Sequence, residues 1–344
     1  MTLLVSVLLP VFNARRTLGL ALESIRRQQD VELECVAVDD GSSDGSLAWL
    51  EQAAAGDGRI RVLAMAHQGI IKALNHGLAH CRGQYVARMD ADDIMQRRRL
   101  TSQVRLLESH PELSGAGCHV RLFPRQRASE GRACEGRREY ERWLNSLEHA
   151  GDVARDQFIE CPLAHPSWML RREVFQRFGY RDMGWPEDYD LLLRLLTSGH
   201  QLGVVPRRLL CWRDSPGRLS RRSPLYADER FILAKAHFLA RSWLEGHARY
   251  VLWGYGSTGG ALCRALLEQG KHPQAIVEVH PGRIGQRIQG APVIAPEGLL
   301  EARRSPGGNL PIIVSVARAA PRSQVRDALQ AFGLRELIDF VCAA

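Results

Sequence analysis

Three carboxylates, Asp90, Asp92 and Asp93, fall within four residues directly after the β-type run Tyr85-Val86-Ala87-Arg88-Met89. Such a cluster repels itself unless positive charge sits among it, and a divalent cation is the usual remedy. Asp-x-Asp at the end of a strand can hold Mg2+ or Mn2+ against a diphosphate, whereas the same residues at a loop tip form a solvated turn. Arg88 stands next to the cluster and can balance its charge, and Asp93 can cap the segment that follows. Further along, Glu187-Asp188 leads a helical stretch, where a helix N-terminus favours negative charge whether or not chemistry occurs there. Lys72 and Asn75, three residues apart, share a helix face; Lys72 suits a phosphate contact or plain solvation. Gly254-x-Gly256-x-x-Gly259 has the spacing of a phosphate-cradling loop, with Glu278 about 20 residues beyond it.

The elements that must position these groups are read from periodicity. Residues 3–9, 33–38, 60–64 and 85–89 form β-rich runs, and 17–27, 46–55 and 70–80 have helical spacing, with Leu18, Ala21, Leu22 and Ile25 on one face of the first. Asp39-Asp40-Gly41-Ser42-Ser43-Asp44-Gly45 is a dense turn, with Asp44 or Ser46 as N-cap of the next helix. This rhythm predicts a mostly parallel sheet covered on both faces. Right-handed crossovers bring the loops after the strands to one edge, where α/β sheets bind ligands. Residues 10–13, 39–44 and 90–93 all lie on that edge. Residues 111–157 read as irregular, 162–171 as a strand, 188–198 as a helix, 206–224 as a loop and 225–246 as one connecting helix. A second α/β segment begins near residue 249. The expected domains are 1–222, a connector 223–247, and 248–344.

Composition narrows the class. The 344-residue chain carries a net charge of +8, mainly from arginines crowded at 97–99, 121–142 and 207–222. Such clusters suit anionic headgroups, phosphorylated substrates or simple solvation. No nucleic-acid motif or aromatic interleaving accompanies them, so no nucleic-acid partner is expected. Eight scattered cysteines without a Cys-x-x-Cys pair argue against structural zinc and a disulfide framework. No apolar run approaches the roughly 18–20 residues needed to span a bilayer. The expectation is a cytoplasmic chain, with peripheral contact at the inner face of the membrane if the arginines meet lipid. Oligomeric state has no signature in the sequence.

Four segments together resemble the inverting nucleotide-sugar glycosyltransferases of family 2, which have the GT-A fold. They are Val5-Ser6-Val7-Leu8-Leu9-Pro10-Val11-Phe12-Asn13, Val38-Asp39-Asp40-Gly41-Ser42-Ser43-Asp44-Gly45, Met89-Asp90-Ala91-Asp92-Asp93 and Pro186-Glu187-Asp188-Tyr189-Asp190. The resemblance covers residues 3–222 and implies an α/β nucleotide-sugar-binding domain on a mostly parallel mixed sheet. It implies that Asp40 accepts the N–H of a uracil-type base, with Pro10, Phe12 and Asn13 as the wall beside it. Asp92 would hold the metal, with Asp90 near the ribose or the metal. Asp188 would be the base and Glu187 would position the acceptor. His165-Pro166-Ser167 resembles the segment before this helix, where His165 either touches sugar or metal or is structural. The implied partners are a nucleotide-sugar donor, a UDP-sugar by preference, and a glycan or lipid-linked acceptor of polysaccharide biosynthesis. One departure is visible: where the family often has proline after the acidic cluster, this chain has Arg97.

The C-terminal segment resembles the small Rossmann-like modules fused to sugar-modifying enzymes. That resemblance leaves NAD, another nucleotide or sugar nucleotide, and a purely structural role open for Gly254, Gly256, Gly259 and Glu278. Two other functions share parts of this pattern. A sugar nucleotidyltransferase needs a glycine-rich basic loop after the first strand, which residues 10–16 do not form. A non-catalytic sugar-nucleotide sensor would bind donor without transfer. An oxidoreductase reading rests on the glycine fingerprint alone.

Overall fold

The computed structural model describes residues 4–123, 132–215, 218, 221, 223–306 and 308–344. They form two compact units: Met1–Ala154, Pro162–Met183 and Ser198–Arg222 make the first, and Arg155–Cys161, Gly184–Thr197 and Ser223–Ala344 the second.

In chain order the elements begin with β1 (Leu4–Val11), α1 (Leu18–Arg26), β2 (Glu32–Asp40), α2 (Ser46–Ala55), β3 (Ile60–Met65), α3 (Ile70–His80) and β4 (Tyr85–Arg88). β5 (Ile94–Met95), α4 (Arg99–Ser109), β6 (Leu113–Phe123), α5 (Arg132–Leu144), α6 (Ala150–Asp156), β7 (Met169–Arg171) and α7 (Arg172–Phe178) follow. α8 (Glu187–Thr197) falls in the second unit, and β8 (Gln201–Arg213) returns to the first. The first unit's sheet has the order β3-β2-β1-β4-β7-β6-β8-β5. β3, β2, β1 and β4 are parallel, whereas β7 is antiparallel to both β4 and β6. Strands β1 and β2 are buried almost throughout because helices cover both faces. α1 buries the predicted stripe Leu18, Ala21, Leu22 and Ile25, and each large apolar side chain so placed contributes about 1.5–3 kcal/mol.

At the amino end of this sheet, Glu34 ties three strands together. Its carboxylate accepts from Ser6 Oγ at 2.6 Å, from the Arg82 N–H at 2.8 Å, and from the Arg82 and Arg61 guanidinium groups at 2.7 and 3.2 Å. Burial alone would raise this carboxyl, but the hydrogen bonds outweigh it and bring it down to about 2. Gly83 N–H also donates to Ser6 Oγ at 2.8 Å, so the strand leading to the acidic cluster starts from a fixed point.

The structure corrects four expectations. Residues 111–157 are ordered as β6, α5 and α6 around the residues outside the description. The 162–171 stretch is a 3-10 turn, His165–Ser167, followed by only three strand residues. The 206–224 loop is strand in its first part, because β8 runs to Arg213. Cys118 pairs with Val205 but His119 pairs with Arg208, so Pro206 and Arg207 are absorbed in a bulge where proline's missing N–H does no harm. The single helix expected over 225–246 is a short 3-10 turn, Pro224–Tyr226, and then α9 (Asp228–Arg241).

After α9 the second unit continues with β9 (Arg249–Trp253), α10 (Ser257–Glu268), β10 (His272–Val277), β11 (Arg287–Ile288) and β12 (Ala291–Ile294). α11 (Leu299–Ala302), the short hairpin β13 (Arg304–Ser305) and β14 (Gly308–Asn309), β15 (Ile312–Val314), α12 (Ala319–Ala331) and β16 (Phe340–Cys342) complete it. Its main sheet has the order β11-β12-β10-β9-β15-β16, parallel from β12 to β16. No helix among the described residues is long and apolar enough to cross a membrane.

Candidate functional site

β1, β2, β3 and β4 are parallel neighbours, so their carboxyl ends deliver residues 10–13, 39–45, 66–69 and 89–93 to one edge of the first unit. Pro10 is buried at the end of β1, and Phe12 projects with 47% of its surface exposed. Phe12 stacks on His67, ring centroids 4.1 Å apart and planes 17° from parallel. Asn13 adopts a left-handed backbone (φ 49°) and accepts the Ser43 N–H at 2.9 Å, while its own N–H donates to Ser42 Oγ at 2.9 Å. The β1 end and the turn after β2 are therefore one rigid piece.

Asp40 lies buried beneath this stack. Its carboxylate accepts the N–H groups of Gln68 and Gly69 at 2.8 and 2.9 Å and lies 2.8 Å from His67 Nδ1. A carboxylate offers about four lone-pair directions, so one stays available for a further donor. Asp44 accepts from Ser46 N–H and Oγ at 3.0 and 2.6 Å, but the N-cap of α2 is Gly45, in a left-handed conformation (φ 87°), rather than Asp44 or Ser46 as expected. Asp39 accepts the Ser42 N–H at 2.9 Å, and its second oxygen is buried without a partner among the described residues.

Gly41 makes the turn possible. Its φ is +73°, and a Cβ there would lie 2.7 Å from the His67 backbone nitrogen. Gly41→Ala is expected to lower stability by about 1–3 kcal/mol and to push His67 off Phe12. A thermal melt measures this, and an unchanged midpoint would show that the turn yields without strain.

The acidic cluster follows β4. One carboxylate oxygen from each of Asp90, Asp92 and Asp93 lies within 4.8 Å of the others. Asp90 is ion-paired with the buried Arg88, so the neighbouring arginine does offset part of the charge. Asp93 is buried and accepts the Arg213 N–H at 2.7 Å, the end of β8, rather than capping the segment after it. Its other oxygen has no partner among the described residues. Arg213 also donates to the Asp92 carbonyl at 2.7 Å and lies over the Phe123 ring at 4.5 Å. Burial and the Asp90 charge push the Asp92 carboxyl up to about 6, against the pull of Arg218, Arg213 and Arg88. Burial, Asp90 and Asp92 raise Asp93 well above the usual range. Hard oxygen donors, crowded like charges and an unpartnered buried oxygen fit a small divalent cation such as Mg2+ or Mn2+. With Asp90 held by Arg88, the half-buried Asp92 is the carboxylate of the three least committed to other groups.

The remaining expected residues separate. Lys72 is exposed on α3, while Asn75 bonds the backbone of Tyr180 through both amide atoms, at 2.9 Å each. His165 is buried and hydrogen-bonds with the Tyr180 hydroxyl at 2.6 Å; burial, aided by Arg88, lowers it well below its ordinary range. Glu187 and Asp188 open α8 in the second unit. Glu187 is buried and accepts from the Tyr226 hydroxyl at 2.6 Å, whereas Asp188 is only half-buried and accepts its neighbour's N–H at 2.7 Å. Asp190, one turn in, is engaged by Arg194 and Trp185 at 2.7 and 3.1 Å. Gly254 and Gly256 lie between β9 and α10, Gly259 lies in the first turn of α10, and Glu278 follows β10.

His67 and Arg213 were missed from sequence. His67 follows β3 on the ligand-bearing edge, which would have flagged it; nothing local marks Arg213. The arginine clusters are also less solvated than their density suggests. Arg99 is fully buried on the Arg88 and Trp168 carbonyls, and Arg137 and Arg221 both pair with buried Asp214.

A family model described as Glycosyl transferase family 2 matches residues 6–179. The putative glycosyltransferase EpsE of Bacillus subtilis is 31% identical over 235 residues, spanning 67% of this chain and 80% of that protein. The amylovoran biosynthesis glycosyltransferase AmsE of Erwinia amylovora is 29% identical over 221 residues, spanning 63% and 79%. Among solved structures, S. aureus TarS in complex with UDP matches with a TM-score of 0.53 at 15% identity, over 77% of this chain and 71% of that one. The mannosyltransferase PcManGT from Pyrobaculum calidifontis, in complex with GDP-Man and Mn2+, matches at 0.51 and 18% identity, over 72% and 64%. At such identities the structural likeness establishes the fold, a GT-A-like mixed α/β sheet.

Proposed function

Because the chain belongs to glycosyltransferase family 2, we propose that it transfers a sugar from a nucleotide-sugar donor to a hydroxyl of a glycan or lipid-linked acceptor, with inversion. The observation that carries this reading is the shared edge of the first unit, where the Phe12–His67 stack above Asp40 and the Asp90–Asp93 cluster stand side by side in the strand order. That edge suits a base at one end and a diphosphate at the other. The ligands named for the solved neighbours, UDP and GDP-Man, have this build.

In this reading Phe12 flanks the base, with Pro10 and Asn13 shaping the turn beside it. Asp40 accepts a base N–H through a charge-assisted hydrogen bond, which favours uracil and hence a UDP-sugar. Asp92, with Asp90, would hold Mg2+ or Mn2+. When bound, that cation screens the diphosphate and stabilises the departing nucleoside diphosphate. Arg213 and Arg218 add positive charge on the same side, and Lys72 is an outer phosphate contact. Asp188 takes the proton from the attacking hydroxyl, as a single displacement requires. Glu187, oriented by Tyr226, positions the acceptor.

A thermal-shift series with UDP, GDP and ADP, each with and without Mn2+, tests the donor half. UDP with Mn2+ is expected to raise the melting midpoint, by about 2.7 kcal/mol in stability at 100 times Kd. Equal shifts with and without Mn2+ would remove the metal from the proposal, and a preference for GDP would overturn the uracil assignment.

A further inference from the structure

The second unit's glycine loop is not used by glycosyl transfer, and its three glycines differ in what requires them. Gly254 has φ +94°, and a Cβ there would lie 2.8 Å from the Ser315 carbonyl oxygen, so the turn itself demands glycine. A Cβ on Gly259 would overlap the Gly254 carbonyl, so close packing of α10 on β9 demands glycine there. Gly256 has neither need. Its φ is −73°, open to any residue, and a Cβ there would meet nothing within 4 Å. A diphosphate drawn close to the backbone is what would require glycine at this middle position.

Three further observations converge on that space. Counted in chain order, the parallel strands β9, β10, β12, β15 and β16 lie as 3-2-1-4-5, so the order reverses between β9 and β15, where open α/β sheets take ligands. Gly256 is the N-cap of α10, a twelve-residue helix whose first turn presents N–H groups with no side-chain cap. Ser315, at the end of β15, sets its Cβ against Gly259, and its buried hydroxyl has no partner among the described residues. A buried unpaired hydroxyl on a residue packed against that first turn is unfavourable unless something polar joins it.

Glu278 is not arranged as a simple ribose contact. Its carboxylate accepts the Tyr255 N–H at 2.6 Å and lies 3.3 Å from Arg283, which also donates to the Tyr255 carbonyl at 2.8 Å. This brace fixes the loop and sets a guanidinium beside it. We propose that the loop Gly254–Gly259 of the second unit binds the diphosphate of a nucleotide ligand, at a site separate from the metal-assisted donor site.

The test uses the full chain carrying Asp92→Asn, in EDTA, titrated calorimetrically with NAD, ADP, UDP and UDP-GlcNAc. At least one is expected to bind at one site per chain. Adding Gly256→Val should weaken that binding at least tenfold while leaving the melting midpoint unchanged, with Gly256→Ala intermediate and Ser315→Ala also weaker. In the otherwise native chain, Gly256→Val should leave the Mn2+-dependent shift by UDP intact. Binding of NAD but not UDP assigns a dinucleotide, and binding of UDP or UDP-GlcNAc but not NAD assigns a uridine nucleotide. Absence of binding by all four, or affinity indifferent to Gly256→Val, overturns the site.

Discussion

Asp92→Asn is expected to reduce turnover by about 10²–10⁴-fold, the scale of losing a charge clamp on a leaving group. The substitution keeps shape and removes one negative charge from three carboxylates whose oxygens lie within 4.8 Å. Relief of that repulsion should hold or raise the melting midpoint in metal-free buffer. The protein would thus lose activity without losing stability. The Mn2+-dependent shift by UDP should vanish at the same time, since Asp90 is already paired with Arg88 and Asp93 with the Arg213 N–H. Undiminished turnover would exclude Asp92 as the metal ligand. Lost turnover together with a lowered midpoint would point to a folding defect.

Asp188→Asn should produce a loss of similar size, about 10²–10⁴-fold, with a different signature. Donor binding should survive, so the shift with UDP and Mn2+ stays at its native value while transfer falls. The reason for choosing Asp188 over its neighbours lies in α8. Glu187 is buried against Tyr226 and Asp190 is engaged by Arg194, while Asp188 keeps partial exposure at the first turn. Near-normal transfer by the Asp188 variant, or a lower pH optimum with unchanged kcat, would remove it as the base. A parallel Glu187→Gln variant, expected to weaken acceptor use more than donor binding, separates the two roles.

The first ninety residues were legible because helix and strand periods there are clean and the strands alternate with helices in a regular order. The spacing of Leu18, Ala21, Leu22 and Ile25 translates directly into the buried face of α1. β6 was unreadable for the opposite reason. Gly115 and Gly117 break its apolar pattern, yet a Cβ on Gly115 would lie 2.8 Å from the Met169 carbonyl, so close strand approach put glycine there. β8 hid behind Pro206 and three arginines, which a bulge accommodates. At the site, carboxylate positions followed from the sheet-edge rule, but their partners did not. His67 reaches Asp40 across 27 residues and Arg213 reaches Asp93 across 120, distances at which one sequence carries no pairing signal.

That last bond sets an order of events during synthesis. A chain that has emerged only through Asp93 already carries all four parallel strands from β1 to β4, which pair with one another. The N–H that pairs Asp93 arrives 120 residues later, at the end of β8. Until then the ribosome-bound half presents three adjacent carboxylates beside an unfinished sheet edge. The acidic cluster is therefore an early-made but late-completed part of the molecule, and mutations in β8 would surface as slow maturation before they surface as altered chemistry.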